Sequence, residues 1–221
     1  MRRARSDDDK LERRGQILDT ALRMYEVNPS FAAFTMASLG AETGLAKGTL
    51  YLYFRTKEAL FLALLDRMLG EWFAEVERRT ARGTGAWTAD EAAEALLRSV
   101  RGRDTLLRLL TIMATILEHN VAYGTALEFK RMLHERAGSV GARLEGRLPW
   151  LAAGEGGRML VYLHALVVGL WQQAEPSPVV ARILGEPEMA AIRVDFERDL
   201  GILLRALLTG MRVRAEASTQ R

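Results

Sequence analysis

The chain of 221 residues contains no cysteine. That excludes a disulfide framework and any thiolate metal site, and it fits a reducing cytoplasm, where the protein is expected. Proline is sparse: Pro29 is followed by a 119-residue interval without another, ended by Pro149, and then by Pro176, Pro178 and Pro187. An interval of that length rich in Ala, Leu, Arg and Glu predicts helix after helix, and no alternating β-branched run suggests a sheet. Long hydrophobic runs are also missing. The longest, Met159–Trp171, is interrupted by His164 and is too short to span a bilayer, so it predicts a buried helix and no membrane partner. Arg2, Arg3 and Arg5 are followed by aspartates instead of an apolar run, which predicts no secretory signal.

Enough remains for a substantial core, since 49% of residues are hydrophobic and 27% charged. The net charge of +3 is localised. Residues 1–57 hold ten basic and seven acidic side chains, whereas the other 164 residues hold 21 of each. A basic surplus confined to the first quarter of the chain suits a polyanionic partner there, although a solvated tail at Arg2–Arg14 would give the same count.

Apolar spacing predicts a first helix over Asp8–Glu26, with Leu11, Ile17, Leu18, Ala21, Leu22 and Tyr25 on one face. Asn28-Pro29-Ser30 stops it. Thr35 reads as the N-cap of a short helix in which Met36, Leu39 and Gly40 face inward, ended by Gly44. A second short helix follows at about Ala46–Tyr53, and Thr56 caps a long one running from Lys57 to about Thr80. Arg82-Gly83-Thr84-Gly85 is the clearest linker. Thr88 caps the next helix, and further helices are expected at Asp104–Glu118, Tyr123–Arg147, Glu155–Ala174 and Glu188–Arg212, with a helical turn at Val179–Leu184.

Two short helices joined by a tight glycine turn have the geometry of a helix-turn-helix, here residues 35–54. The second helix is unlike a core helix. Lys47, Thr49, Tyr51 and Tyr53 offer donors, Gly48 allows close backbone approach, and only Leu50, Phe54 and Leu52 read as internal anchors. Lys57, at the start of the next helix, is placed to reach a phosphate.

The segment FTMASLGAETGLAKGTLYLYFRTKEAL at residues 34–60, with Ile17–Leu22 upstream, resembles the DNA-binding domain of the TetR family of bacterial regulators. The resemblance covers about residues 12–72 and rests on many fixed offsets. It implies an all-α homodimer. The N-terminal three-helix DNA-binding domain (12–72) would be followed by a larger helical dimerisation and effector-binding domain (73–221). Carried over by position, Thr35 would touch a phosphate, Lys47, Gly48, Thr49 and Tyr51 would lie against the groove, and Tyr53 and Lys57 would hold the backbone of a palindromic double-stranded operator. Three positions depart from the family pattern. Leu45-Ala46 stands where Val-Ser is common, removing a hydroxyl cap. Gly40 replaces a common alanine and would loosen its helix by roughly 1 kcal/mol if exposed. Leu52 stands where histidine is frequent. These leave the operator sequence open.

In the remainder, Trp72, Trp87, Met113, Leu117, Phe129 and Trp171 are compatible with an apolar effector cavity, though each alone also reads as ordinary core. Leu163, Leu166, Val167 and Leu170 on one helix, and Leu200, Leu203, Leu204 and Leu207 on another, form stripes suited to a four-helix dimer bundle or to the chain's own core. His119, His134 and His164 lack partners at metal-ligand spacing. Ser99, Ser139 and Ser177 belong to no nucleophile–base grouping, and no phosphate-binding glycine loop is present. No cofactor and no enzymatic activity are expected. The implied function is a repressor released by a small hydrophobic effector. A DNA-binding activator or architectural protein without a small-molecule site, and more distantly a helical enzyme, stay open on the residues alone.

Overall fold

A computed structural model describes the backbone of residues 2–219 and the side chains of residues 8–218. Arg2, Arg3 and Arg5, part of the basic stretch singled out above, have side chains outside the described residues. Every regular element among the described residues is helical. The order is α1 (Arg2–Val27), α2 (Met36–Thr43), α3 (Lys47–Tyr53), α4 (Lys57–Ala81), α5 (Ala89–Val100), α6 (Asp104–Ile112), a π-helical turn (Met113–Leu117), α7 (Tyr123–Arg147), α8 (Glu155–Ala174), α9 (Pro178–Leu184), a 3-10 turn (Pro187–Ile192) and α10 (Phe196–Thr219). None of these helices is long and apolar enough to cross a membrane.

The chain divides into two compact units. The first comprises residues up to Met68 together with Ile112–Phe129, and the second Leu69–Thr111 together with Lys130 onward. The chain passes between them three times, inside α4, at the end of α6 and inside α7, and not at the Arg82–Gly85 connection, which joins α4 to α5 within the second unit.

The first unit is organised around Phe61, which is fully buried. The rings of Tyr25, Phe31 and Phe34 meet it edge-on, with centroids 5.1, 5.0 and 4.9 Å away. Edge-to-face pairing sets the negative face of one ring against the positive edge of another. Ile17, Leu18 and Ala21 from α1, Leu39 from α2, Leu50 from α3 and Leu60, Leu64 and Leu65 from α4 complete the core. Leu11, expected on the buried face of α1, is 68% exposed. Side chains 8–14 are all exposed, so this end of the helix runs past the core that its periodicity suggested.

In the second unit α10 packs on α5 and α8. Leu200, Leu204 and Leu208 are fully buried, as are Ala92 and Met159. Helices α7 and α8 cross at Gly141 and Gly156, where a Cβ on either glycine would overlap the other's backbone. Beside the crossing, the Glu145 carboxylate accepts the N–H groups of Gly154 and Gly156, both at 2.9 Å, which secures the start of α8.

Two expected helices are divided. The one beginning at Asp104 leaves α geometry at Ile112, and the Glu118 N–H reaches the Met113 carbonyl at 3.0 Å. This wider turn buries Met113 and Leu117 together. The helix expected at Glu188–Arg212 begins instead at Phe196. Arg193 interrupts it by folding its guanidinium onto the carbonyls of Leu184, Gly185 and Glu186. Asp195 then caps α10, its carboxylate accepting the Arg198 N–H at 2.9 Å.

Candidate nucleic-acid interface

The bracing helix α2 is fixed at both ends by local chemistry. Thr35 Oγ1 accepts the Ser38 N–H at 3.0 Å, and Ser38 Oγ accepts the Thr35 N–H at 3.3 Å, a reciprocal capping box. At the other end Gly44 adopts φ +67°, a left-handed conformation that L side chains adopt only at a cost. The N–H groups of Gly44 and Leu45 both reach the Gly40 carbonyl, closing the turn. Gly40 is buried, so the reading of it as a loosened exposed position does not apply. A Cβ there would lie 3.0 Å from the Leu45 carbonyl oxygen and 3.6 Å from Leu50 Cδ1, so its bareness lets the turn close against α2.

Helix α3 has a single buried residue, Leu50. With Phe54 just beyond its end, Leu50 pins the helix to the unit's core, leaving Lys47, Gly48, Tyr51 and Leu52 exposed. Leu52 is 84% exposed and is therefore no internal anchor. It stands two residues after Leu50 and falls on the opposite side of a 3.6-residue turn. The Lys47 ammonium lies 5.8 Å from the Tyr51 ring centroid, a cation–π contact that orients both side chains one turn apart. Nothing approaches within 4 Å of a Cβ built on Gly48, so its surface is open. Thr49 and Tyr53 are half-buried. Ala46 gives α3 no side-chain cap, as the loss of a hydroxyl there implies.

The flanks of α3 hold contacts that the sequence did not disclose. Tyr53 borders a surface hollow of about 420 Å³ shared with Asp9, Lys10, Glu12, Arg13 and Gln16 of α1. The Arg14 guanidinium sits 5.0 Å above the Phe54 ring. Thr56 caps α4 as its position implied, accepting the Ala59 N–H at 3.0 Å, and its hydroxyl also donates to the Asn120 carbonyl at 3.1 Å. Lys57 turns inward. Its ammonium donates to the carbonyls of Phe31 at 2.7 Å and Phe34 at 3.0 Å, over the Phe31 ring. No periodicity signals these pairings, because the Thr56 and Lys57 bonds join residues more than twenty apart.

The six candidate cavity residues fall in both units. Met113, Leu117 and Phe129 are buried in the first. In the second, Trp72 is buried and donates to Ser99 Oγ at 3.0 Å, while Trp87 and Trp171 border two different hollows. Of the eight candidate interface leucines and valine, Leu163, Val167, Leu170, Leu200 and Leu204 are buried within the chain itself. Leu203 is exposed, and Leu166 and Leu207 are half-buried. Val161, Tyr162, Ile202 and Val213 add exposed apolar surface to the same two helices.

A short capped helix, a glycine turn and a second helix held by one internal leucine, with cation and phenol turned outward, define a helix-turn-helix DNA-binding module. Residues 17–64 match the family model described as bacterial regulatory proteins, tetR family, and residues 66–215 match a tetracyclin repressor-like C-terminal domain. The chain belongs to the TetR family of transcriptional regulators, which are DNA-binding transcription factors and not enzymes.

Among curated relatives, it is 36% identical over 59 residues to an uncharacterized HTH-type transcriptional regulator, YerO, of Bacillus subtilis (strain 168), covering 27% of this chain and 20% of that protein. It is 23% identical over 135 residues to a fatty acid metabolism regulator protein of the same organism, covering 60% and 61%. The chain thus spans less than two thirds of either relative. Among solved structures, a possible TetR family transcriptional regulator from Streptomyces coelicolor A3(2) shares the fold, with a TM-score of 0.58, 23% identity, and 90% and 98% of the two chains covered. The multidrug binding protein EbrR, solved with imidazole, gives a TM-score of 0.54 at 23% identity, with 90% and 89% covered.

Proposed function

We propose that this regulator is a homodimeric repressor that binds a palindromic operator and leaves it when a small hydrophobic effector binds. The observation that carries the DNA-binding part is the outward face of α3. Its one buried residue fixes the helix, while Lys47, Gly48 and Tyr51 stand free for the major groove. Lys47 and Tyr51 supply donors to base edges or phosphates, and Gly48 lets the backbone come close. Thr35 and Thr49 flank that face. Tyr53 is half-buried at its edge, and Lys57, whose ammonium already serves two carbonyls, supports the interface from beneath.

Release requires an element that both the effector and the DNA bias. On this reading segment 112–129 is that element. Its chain neighbours on both sides belong to the second unit, yet it is bonded through Asn120 to Thr56, three residues past the end of α3. An effector that prefers a shifted segment would move the base of the recognition helix, and DNA affinity would fall by the effector's differential affinity for the two arrangements. Buried Met113, Leu117 and Phe129 make that segment apolar. The similarity to a regulator of fatty acid metabolism makes fatty acids the first compounds to screen.

Selection of bound sequences from a random DNA pool tests this reading. Enrichment of an inverted repeat with half-sites about 34 Å apart supports a dimer presenting two α3 helices. Enrichment of an unsymmetrical site, or of none, overturns it. A thermal-shift screen of lipids against the same preparation, followed by operator competition, tests the effector.

A further inference from the structure

The pole of α3 that points away from the protein is apolar. Leu50, its one buried residue, marks the inward direction. At 3.6 residues per turn, Gly48 and Leu52 each stand about 160° from Leu50 around the helix axis, one turn apart. Lys47 and Tyr51 lie on one flank of that line, and the half-buried Thr49 and Tyr53 on the other. Gly48 contributes no side chain, and nothing lies within 4 Å of a Cβ built on it. Leu52, 84% exposed, is therefore the one side chain at the pole. The Lys47 ammonium, 5.8 Å from the Tyr51 ring centroid, leans along its own flank and leaves Leu52 uncovered.

A single exposed leucine is ordinary on a protein surface. One at the pole of a recognition helix is not, because that line enters the major groove ahead of the flanks. DNA is the occupant this face fits, since α3 carries a cation and no carboxylate and the chain belongs to a family of DNA-binding regulators. Leucine can neither donate nor accept a hydrogen bond, so it cannot read a purine N7, a guanine O6, an exocyclic amine or a phosphate. In the major groove the one apolar group that a base presents is the C5 methyl of thymine. Pressed against any other base edge, Leu52 would strip water from a donor or acceptor and return no bond.

We infer that Leu52 is a specificity-determining residue, which selects thymine at one position of each half-site by packing on its C5 methyl. The inference rests on the reading of α3 as the recognition helix and divides the labour along it. Lys47 and Tyr51 supply hydrogen bonds from the flank, and Leu52 supplies the apolar readout from the pole. The bare surface of Gly48, one turn earlier on the same line, lets Leu52 come down onto the base.

The test titrates the full chain with the sequence enriched from the random DNA pool, its thymines replaced one at a time by deoxyuridine, which lacks only the C5 methyl. Replacement of one particular thymine should weaken binding about fourfold per half-site, the effect of one buried methyl group. Leu52→Ala should melt like the wild type, because the side chain is exposed, and should bind the thymine duplex more weakly. At that same position it should distinguish thymine from deoxyuridine by less than about twofold, the mark of a direct coupling between side chain and methyl. A selection repeated with Leu52→Gln should change the preferred base there, toward adenine, and nowhere else. Lys47→Ala in the same titrations keeps the two readings apart. If it weakens binding to every duplex while no deoxyuridine replacement depends on Leu52, α3 stays the recognition helix and this inference is overturned. If Lys47→Ala and Leu52→Ala both bind like the wild type, or no sequence is enriched, the reading of α3 falls with it. An equal loss by Leu52→Ala on thymine and deoxyuridine duplexes would set the side chain against the sugar–phosphate backbone and also overturn the inference.

Discussion

The ammonium of Lys57 lies 3.0 Å from the carbonyl oxygen of Phe34, and it also binds Phe31 just upstream. The first residue of α4 thereby holds the loop that delivers the chain into α2. Hydrogen bonds to a charged donor contribute about 1.5–3 kcal/mol each when their loss leaves an acceptor unsatisfied. Lys57→Met keeps the aliphatic stem over Phe31 and removes both bonds. Because Lys57 is only half-buried and water can replace part of both bonds, the substitution should lower unfolding free energy by about 1–3 kcal/mol in a denaturant titration. A variant that loses DNA affinity with unchanged stability would instead assign Lys57 to the phosphates.

The recognition face should separate function from stability. Lys47→Ala and Tyr51→Ala should each weaken operator binding by about 1–3 kcal/mol while leaving the melting temperature and dimerisation unchanged. Gly48→Ala should show opposite signs. A methyl there enters open space, and alanine favours a helix interior over glycine by up to about 1 kcal/mol. The protein should melt higher and bind DNA more weakly, as read by calorimetry and a gel-shift titration. Unaltered DNA binding in all three variants would exclude α3 from the interface.

Gly141 and Gly156 predict a strict size limit. A Cβ on Gly141 would lie 2.9 Å from the Gly156 carbonyl carbon, and backbone cannot swing aside as a side chain does. Gly141→Ala should cost about 1–3 kcal/mol by forcing α7 and α8 apart. Gly138, one turn earlier in α7, has nothing within 4 Å of a Cβ, and Gly138→Ala should be neutral or stabilising. Chemical denaturation of the two variants makes the comparison.

Neighbouring leucines on α10 should divide self-association from folding. Leu203 is 38% exposed and Leu204 fully buried. Leu203→Glu should shift the chain toward monomer in sedimentation velocity with little loss of unfolding free energy. Leu204→Ala should lower that free energy by about 2–5 kcal/mol through the cavity it leaves. A Leu203→Glu chain that sediments as wild type would move the dimer face elsewhere.

The start of α5 carries a pH dependence of known sign. The Glu91 carboxyl is held below its ordinary range, chiefly by the hydrogen bond it accepts from the Thr88 N–H at 2.8 Å and then by the Thr88 hydroxyl. A lowered folded-state pKa stabilises the fold above the unfolded pKa, and that contribution is lost as pH falls through the folded value. The melting-temperature difference between wild type and Glu91→Gln should therefore shrink on acidification below the carboxylate range. A difference independent of pH would mean that the charge of Glu91 contributes nothing.

Short-range chemistry made much of the interface legible. Thr35, Gly44, Thr56 and Thr88 act within three or four residues of themselves, so their caps follow from residue type and spacing alone. The starts of α7 and α8 were legible for similar reasons of punctuation and periodicity. Leu52 was not, because an apolar residue in a helix of seven has too little periodicity around it to assign a face. Nor was the break before α10, which depends on Arg193 folding back across the carbonyls of Leu184, Gly185 and Glu186.

The sequence by itself determined the helical class and the helix-turn-helix, since these rest on local propensity, capping and a dense pattern of fixed offsets. Tertiary structure alone decided which apolar residues are spent on the chain's own core, as with Leu204 against Leu203. It alone attached segment 112–129 to the DNA-binding unit, turned Lys57 inward and set the Trp171 and Phe196 rings edge to face. Burial and charge balance depend on what lies opposite a side chain in space, and in each of these places the opposing residue comes from a distant part of the chain.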